Sequence, residues 1–162
     1  MNSLVLNKKI KNATPEEYNN IKFKSKLEVM AYKTLVQAGF EPKYEPYTYI
    51  IWKGFKPTVP FYTKSKGINN LNLSKLRDIT YTPDFYIEYN NLKIIIEVKG
   101  IANDVFPYKF KMFRKYIEDL DDNKNYLIFE IFTKRQLLEA IKVIKEYAAN
   151  RNNEESCNCS TN

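Results

Sequence analysis

Histidine is absent from this 162-residue chain. That excludes Ser-His-Asp and Cys-His catalysis, the HExxH zinc enzymes and nucleases with a histidine base. Any hydrolysis must then rest on carboxylates, lysine, tyrosine and a metal. There are only two cysteines, Cys157 and Cys159, close together in a polar stretch. Two thiols are too few for a zinc site and do not staple a fold, so a reducing, cytoplasmic setting is expected. With four glycines and seven prolines, the composition is not that of a long disordered chain. No apolar run reaches the roughly 20 residues of a membrane-crossing helix. The opening MNSLVLNKKIKN has no apolar h-region and no cleavage-like site, so no secretory signal and no membrane partner are expected.

What is present suits one core. Hydrophobic residues make up 44% of the chain and aromatics 15%, with 13 tyrosines. The formal net charge of +7 favours a polyanionic partner, nucleic acid first among them. A solvated, lysine-rich surface accounts for the same charge.

Along the chain, residues 1–20 read as an irregular arm with a short strand at Leu4–Leu6. Leu27, Ala31, Thr34, Leu35 and Ala38 fall at helical spacing, which predicts a helix over Lys26–Ala38. Ser25 caps it and Gly39 stops it. A strand follows at Tyr47–Trp52. Residues 53–78 read as irregular, with six basic residues and one acid. This stretch, with Lys64 and Lys66, is the candidate DNA-contacting insertion; an ordinary surface loop is the competing reading. Strands are predicted over Ile79–Tyr89 and Leu92–Lys99, a helix over Phe106–Leu120 and a strand over Tyr126–Phe132. A last helix runs to about Ala149, opened by a Thr133–Gln136 capping box. Residues 150–162 read as a disordered polar tail. The whole predicts an α/β domain over 21–149, a central mixed sheet flanked by helices.

Asn90-Asn91 suits a two-residue hairpin turn, because asparagine tolerates positive φ. That turn sets the register: Glu88 faces Lys93, Ile87 faces Ile94 and Phe85 faces Ile96. One face then carries Phe85, Ile87, Tyr89, Leu92, Ile94, Ile96 and Val98, wholly apolar and fit to pack on a helix. On the other face Asp84 meets Glu97. Two carboxylates at cross-strand distance repel unless a cation sits between them or one is protonated. Lys99 shares that face and offsets part of the charge. Oxygen ligands suit Mg²⁺ or Mn²⁺ rather than zinc. A solvated surface trio is the plain alternative, but Pro83 interrupts the ladder just before Asp84, as at a bent strand edge.

Thr82-Pro83-Asp84-Phe85 followed by Ile94-Ile95-Ile96-Glu97-Val98-Lys99-Gly100 resembles the PD-(D/E)xK nuclease superfamily. The region from about Phe23 to Thr133 looks like small phage nucleases of this type, distantly similar to Holliday-junction resolvases. It also resembles the catalytic domain of the Tn7-type transposon endonuclease. The resemblance implies a restriction-endonuclease-like core and hydrolysis of DNA phosphodiester bonds, with selectivity for branched DNA an open possibility. It implies that Asp84, Glu97 and the Val98 carbonyl bind Mg²⁺ or Mn²⁺, and that Lys99 orients the attacking water. A glutamate from an N-terminal helix usually joins them, and Glu28 matches that position. Ser25-x-x-Glu28 is also a capping box. By analogy the nuclease works as a homodimer, since two strands must be cut.

The helix after Gly100 carries Lys109, Lys111, Arg114 and Lys115, spaced to meet a phosphate backbone. A solvated basic face is the alternative for some of them. Tyr108, Phe110 and Phe113 read as core. Against the enzyme stand two other readings: a non-catalytic nucleic-acid-binding module of the same fold, and a subunit of a recombination or packaging complex. Phosphate chemistry does not read the sugar, so RNA stays open beside DNA.

Overall fold

The computed structural model describes residues 14–65, 67–100 and 105–158. Its elements, in chain order, are β1 (Glu16–Tyr18), β2 (Ile21–Phe23), α1 (Lys26–Gln37), β3 (Lys43–Tyr44), β4 (Tyr49–Trp52), β5 (Tyr62–Ser65), β6 (Ile68–Leu71), β7 (Ile79–Tyr81), β8 (Phe85–Tyr89), β9 (Leu92–Val98), α2 (Phe106–Glu118), β10 (Tyr126–Ile131) and α3 (Lys134–Asn158). The protein is thus mixed α/β. The elements fall into two compact units, one within 1–46, 83–103 and 124–162, the other within 47–82 and 104–123.

The first unit is built on a four-stranded sheet ordered β10-β9-β8-β3. β10 runs parallel to β9, and the other pairs are antiparallel. Asn90 and Asn91 both hold positive φ, at 47° and 60°, the signature of the tight turn that suits the twist of a hairpin. The register is the expected one, with Phe85 opposite Ile96, Ile87 opposite Ile94 and Glu88 opposite Lys93. Phe85, Ile87, Leu92, Ile94, Ile96 and Val98 form the core with Ala31 and Leu35 of α1 and Leu137, Ala140 and Ile144 of α3. Alternation along the strands therefore decides which face the helices cover.

Both helix starts are capped as the sequence indicates. The Ser25 Oγ accepts from the Glu28 N–H at 3.2 Å. At α3 the Gln136 N–H donates to the Thr133 Oγ1 and the Gln136 Oε1 accepts from the Thr133 N–H, at 3.2 and 3.1 Å. Gly39, at φ +89°, ends α1 in the left-handed conformation that costs glycine least.

Four expectations are corrected. The arm expected to be irregular over residues 1–20 holds β1, which forms a hairpin with β2 about Asn19-Asn20, both at positive φ. The expected strand Ile79–Tyr89 is two strands, because Pro83 offers no N–H to a ladder, and β7 pairs with β4 in the second unit. The stretch 53–78 contains a hairpin of its own, β5–β6. Finally, α3 passes Ala149 and continues to Asn158. No glycine or proline interrupts it, and the Arg151 guanidinium ties it to the Lys124 carbonyl and the Asn125 Oδ1 at 3.3 and 2.9 Å. Leu4–Leu6, Lys66 and Cys159 lie outside the described residues. Among those described, no helix is long and apolar enough to cross a membrane.

The second unit packs α2 on β4 and β7. Its centre is aromatic: the Tyr81 and Phe113 rings stack at 4.7 Å, with Tyr49 and Phe110 beside them.

Candidate active site

β8 and β9 bring Asp84 and Glu97 to one end of the sheet. Asp84 immediately precedes β8, whose Phe85 pairs with Ile96, and it lies close enough to Glu97 to feel its charge. Both are buried, at 8% and 3% exposure. The Val98 N–H donates to the Asp84 Oδ2 at 2.7 Å, which holds that carboxyl in place.

Burial pushes the Asp84 carboxyl up to about 8, and the Glu97 charge pushes the same way. The bond from the Val98 N–H pulls it back, Glu28 raises it and Lys99 lowers it. Near neutral pH and without a cation, Asp84 therefore keeps its proton for much of the time. This is the outcome expected when two carboxylates share a desolvated place.

Glu97 makes one strong contact. Its Oε1 pairs with the Lys99 Nζ at 2.7 Å, the lysine being about one-quarter exposed. Its Oε2 is buried and has no hydrogen-bond partner among the described residues. A buried carboxylate oxygen without a donor is costly. A hard divalent cation is the group that an oxygen-only donor set suits. The fit is of two carboxylates and neighbouring backbone; among the described residues no three His, Cys, Asp or Glu side chains converge as a ready metal cage.

Glu28 lies at the start of α1, buried, with both carboxylate oxygens hydrogen-bonded. Its Oε2 accepts from the Lys24 N–H at 2.9 Å and from the Tyr44 hydroxyl at 2.5 Å. Its Oε1 accepts from the Ser25 Oγ at 2.9 Å. Both oxygens are engaged at the start of α1, so the capping function is filled. The charge of Glu28 acts on Asp84 and raises it. Tyr44 was missed in the sequence; burial and the bond to Glu28 push its phenol above the usual range. Nothing local in the sequence signals that contact, since 16 residues separate the partners.

The described basic candidates, Lys64, Lys109, Lys111, Arg114 and Lys115, belong to the second unit. Lys111 and Arg114 are exposed on α2 and Lys64 is exposed on β5. Lys109 donates to the Thr80 carbonyl at 3.2 Å, and Lys115 pairs with Asp119 one turn on. Those two cations are partly committed within the unit. Phe110 and Phe113 are core as expected, but Tyr108 is 70% exposed. It falls off the stripe of Phe106, Phe110, Phe113 and Ile117 that α2 buries.

A family model described as a protein of unknown function (DUF1064) matches residues 8–129. The chain belongs to this family. The DUF1064 match takes in Glu28, Asp84, Glu97, Lys99 and the basic residues of α2, and leaves α3 outside. No curated protein and no solved structure matches the chain.

Proposed function

We propose that this DUF1064 member is a metal-dependent endodeoxyribonuclease of the PD-(D/E)xK type, built on a restriction-endonuclease-like core. The observation that carries the proposal is the buried Asp84–Glu97 pair: one carboxyl pushed up to about 8, the other with an oxygen unpartnered among the described residues, and Lys99 at 2.7 Å from its other oxygen. Two carboxyls buried side by side cannot both ionise cheaply without a cation between them, so the pair reads as a place built for one.

Asp84, Glu97 and the Val98 carbonyl would hold Mg²⁺ or Mn²⁺. When bound, that ion supplies Lewis-acid polarisation of the phosphate and a lowered pKa for water. The Val98 N–H orients Asp84. The Lys99 ammonium, tethered at the same end of the sheet, orients the attacking water and offsets charge on the phosphate. Water adds to phosphorus, the bond to the leaving sugar oxygen breaks in line, and that oxygen takes up a proton. Lys64, Lys66, Lys111 and Arg114 are the proposed phosphate contacts; branched DNA as substrate and a homodimer are further parts of the same proposal.

The test is incubation with supercoiled plasmid, linear duplex, single strand and a four-way junction, each with Mg²⁺, Mn²⁺ or EDTA. Metal-dependent cutting, lost in Asp84→Ala and Lys99→Ala, is the expected outcome. No cutting with any metal, and DNA binding that neither substitution changes, would sink the enzyme reading in favour of a binding module.

A further inference from the structure

The parallel pairing of β10 with β9 sets Glu130 directly beside Glu97. Partnered residues in such a pair project to the same face. Their neighbours agree. Leu127 beside Ile94 and Phe129 beside Ile96 pack into the helix-covered core. On the opposite face the Lys93 ammonium, partnered with Tyr126, lies 5.2 Å from that ring's centroid. Glu130 therefore stands on the face of Asp84 and Glu97, and unlike them it is exposed. It is the one charged residue in Tyr126–Ile131, YLIFEI.

Across three strands the order is Asp84, Glu97, Glu130. Like charges at partnered positions destabilise a sheet, and here the middle member has a buried oxygen without a hydrogen-bond partner among the described residues. We infer that Glu130 is a third carboxylate ligand of the divalent cation at this site, an exposed arm that reaches over Glu97. This rests on the metal site proposed above. The three carboxylates do not converge as they stand. An exposed glutamate has the rotamer freedom to turn inward when a cation gives it a reason to.

The experiment is Mn²⁺ binding to the full chain without DNA, followed by the loss of the free-ion EPR signal. Wild type is compared with Glu130→Gln, Asp84→Asn and the control Glu139→Gln, which removes an equal charge from α3. Glu130→Gln should weaken binding about tenfold or more, with Glu139→Gln matching wild type. The melting temperature of Glu130→Gln in EDTA should stay within about 2 °C of wild type, as for a surface substitution. Wild-type affinity in Glu130→Gln, with binding lost in Asp84→Asn, overturns the role of Glu130 and leaves the metal site standing. Equal weakening by Glu139→Gln reduces the effect to general charge and also overturns it. No binding by wild type overturns both this inference and the site beneath it.

Discussion

Asp84→Asn should stabilise the metal-free protein, and the gain should grow with pH. The folded state holds the Asp84 carboxyl at about 8, against a usual 3.8. Below pH 3.8 both folded and unfolded chains carry the proton, and there is no penalty. As the pH rises the unfolded chain releases its proton first, so wild-type stability falls until the folded carboxyl also ionises near pH 8. At about 1.4 kcal/mol per pH unit, the metal-free wild type forfeits roughly 4 kcal/mol by pH 7. Asparagine escapes that loss, and its side-chain carbonyl can still accept from the Val98 N–H. Its amide group is buried in exchange, at a cost of about 1–3 kcal/mol. The net gain at pH 7 is then about 2 kcal/mol, or roughly 4–8 °C for a chain of this size. Thermal unfolding in EDTA, read by circular dichroism at pH 4, 5.5, 7 and 8, measures it. At pH 4 the variant should show no advantage. Added Mn²⁺ should reverse the order, since only the wild type gains from ligation. A difference between the two proteins that stays flat from pH 4 to 8 would refute the reasoning, because Asp84 would then titrate as an ordinary carboxylate.

Two further substitutions separate structure from chemistry. Glu28→Ala removes the acceptor of Lys24, Ser25 and Tyr44 and should cost about 2–3 kcal/mol with or without metal, seen as a lower urea midpoint in EDTA. An unchanged midpoint with cutting abolished would instead make Glu28 part of the chemistry. Gly54→Ala places a Cβ on top of the Leu76 carbonyl oxygen, in the strap where the Gly54 N–H donates to the Asp78 Oδ1. It should lower the melting temperature by an amount matching about 1–3 kcal/mol; a melt identical to wild type would show that the strap yields freely.

The candidate site was legible because its placement depends on local rules. Asn90-Asn91 sets a tight turn, strict alternation sorts the faces, and together they put Asp84 opposite Glu97 before any tertiary contact is known. The two capping boxes are local in the same way. The β1–β2 hairpin was equally readable, since Asn19-Asn20 repeats the turn signal; β5–β6 was not, because its turn holds no Asn-Gly or Asn-Asn pair.

By itself, then, the sequence determined what chemistry was available: no histidine, a carboxylate pair with a lysine at hairpin spacing, and helices with marked ends. Tertiary structure decided what state those groups are in. Burial raises Asp84 and encloses Glu97 Oε2, while the fold draws Tyr44 onto Glu28 and brings Glu130 alongside Glu97 from a strand distant in sequence. The physical reason is range. Turns and caps are settled within four or five residues, whereas desolvation and strand partnership sum over atoms that the chain order keeps far apart.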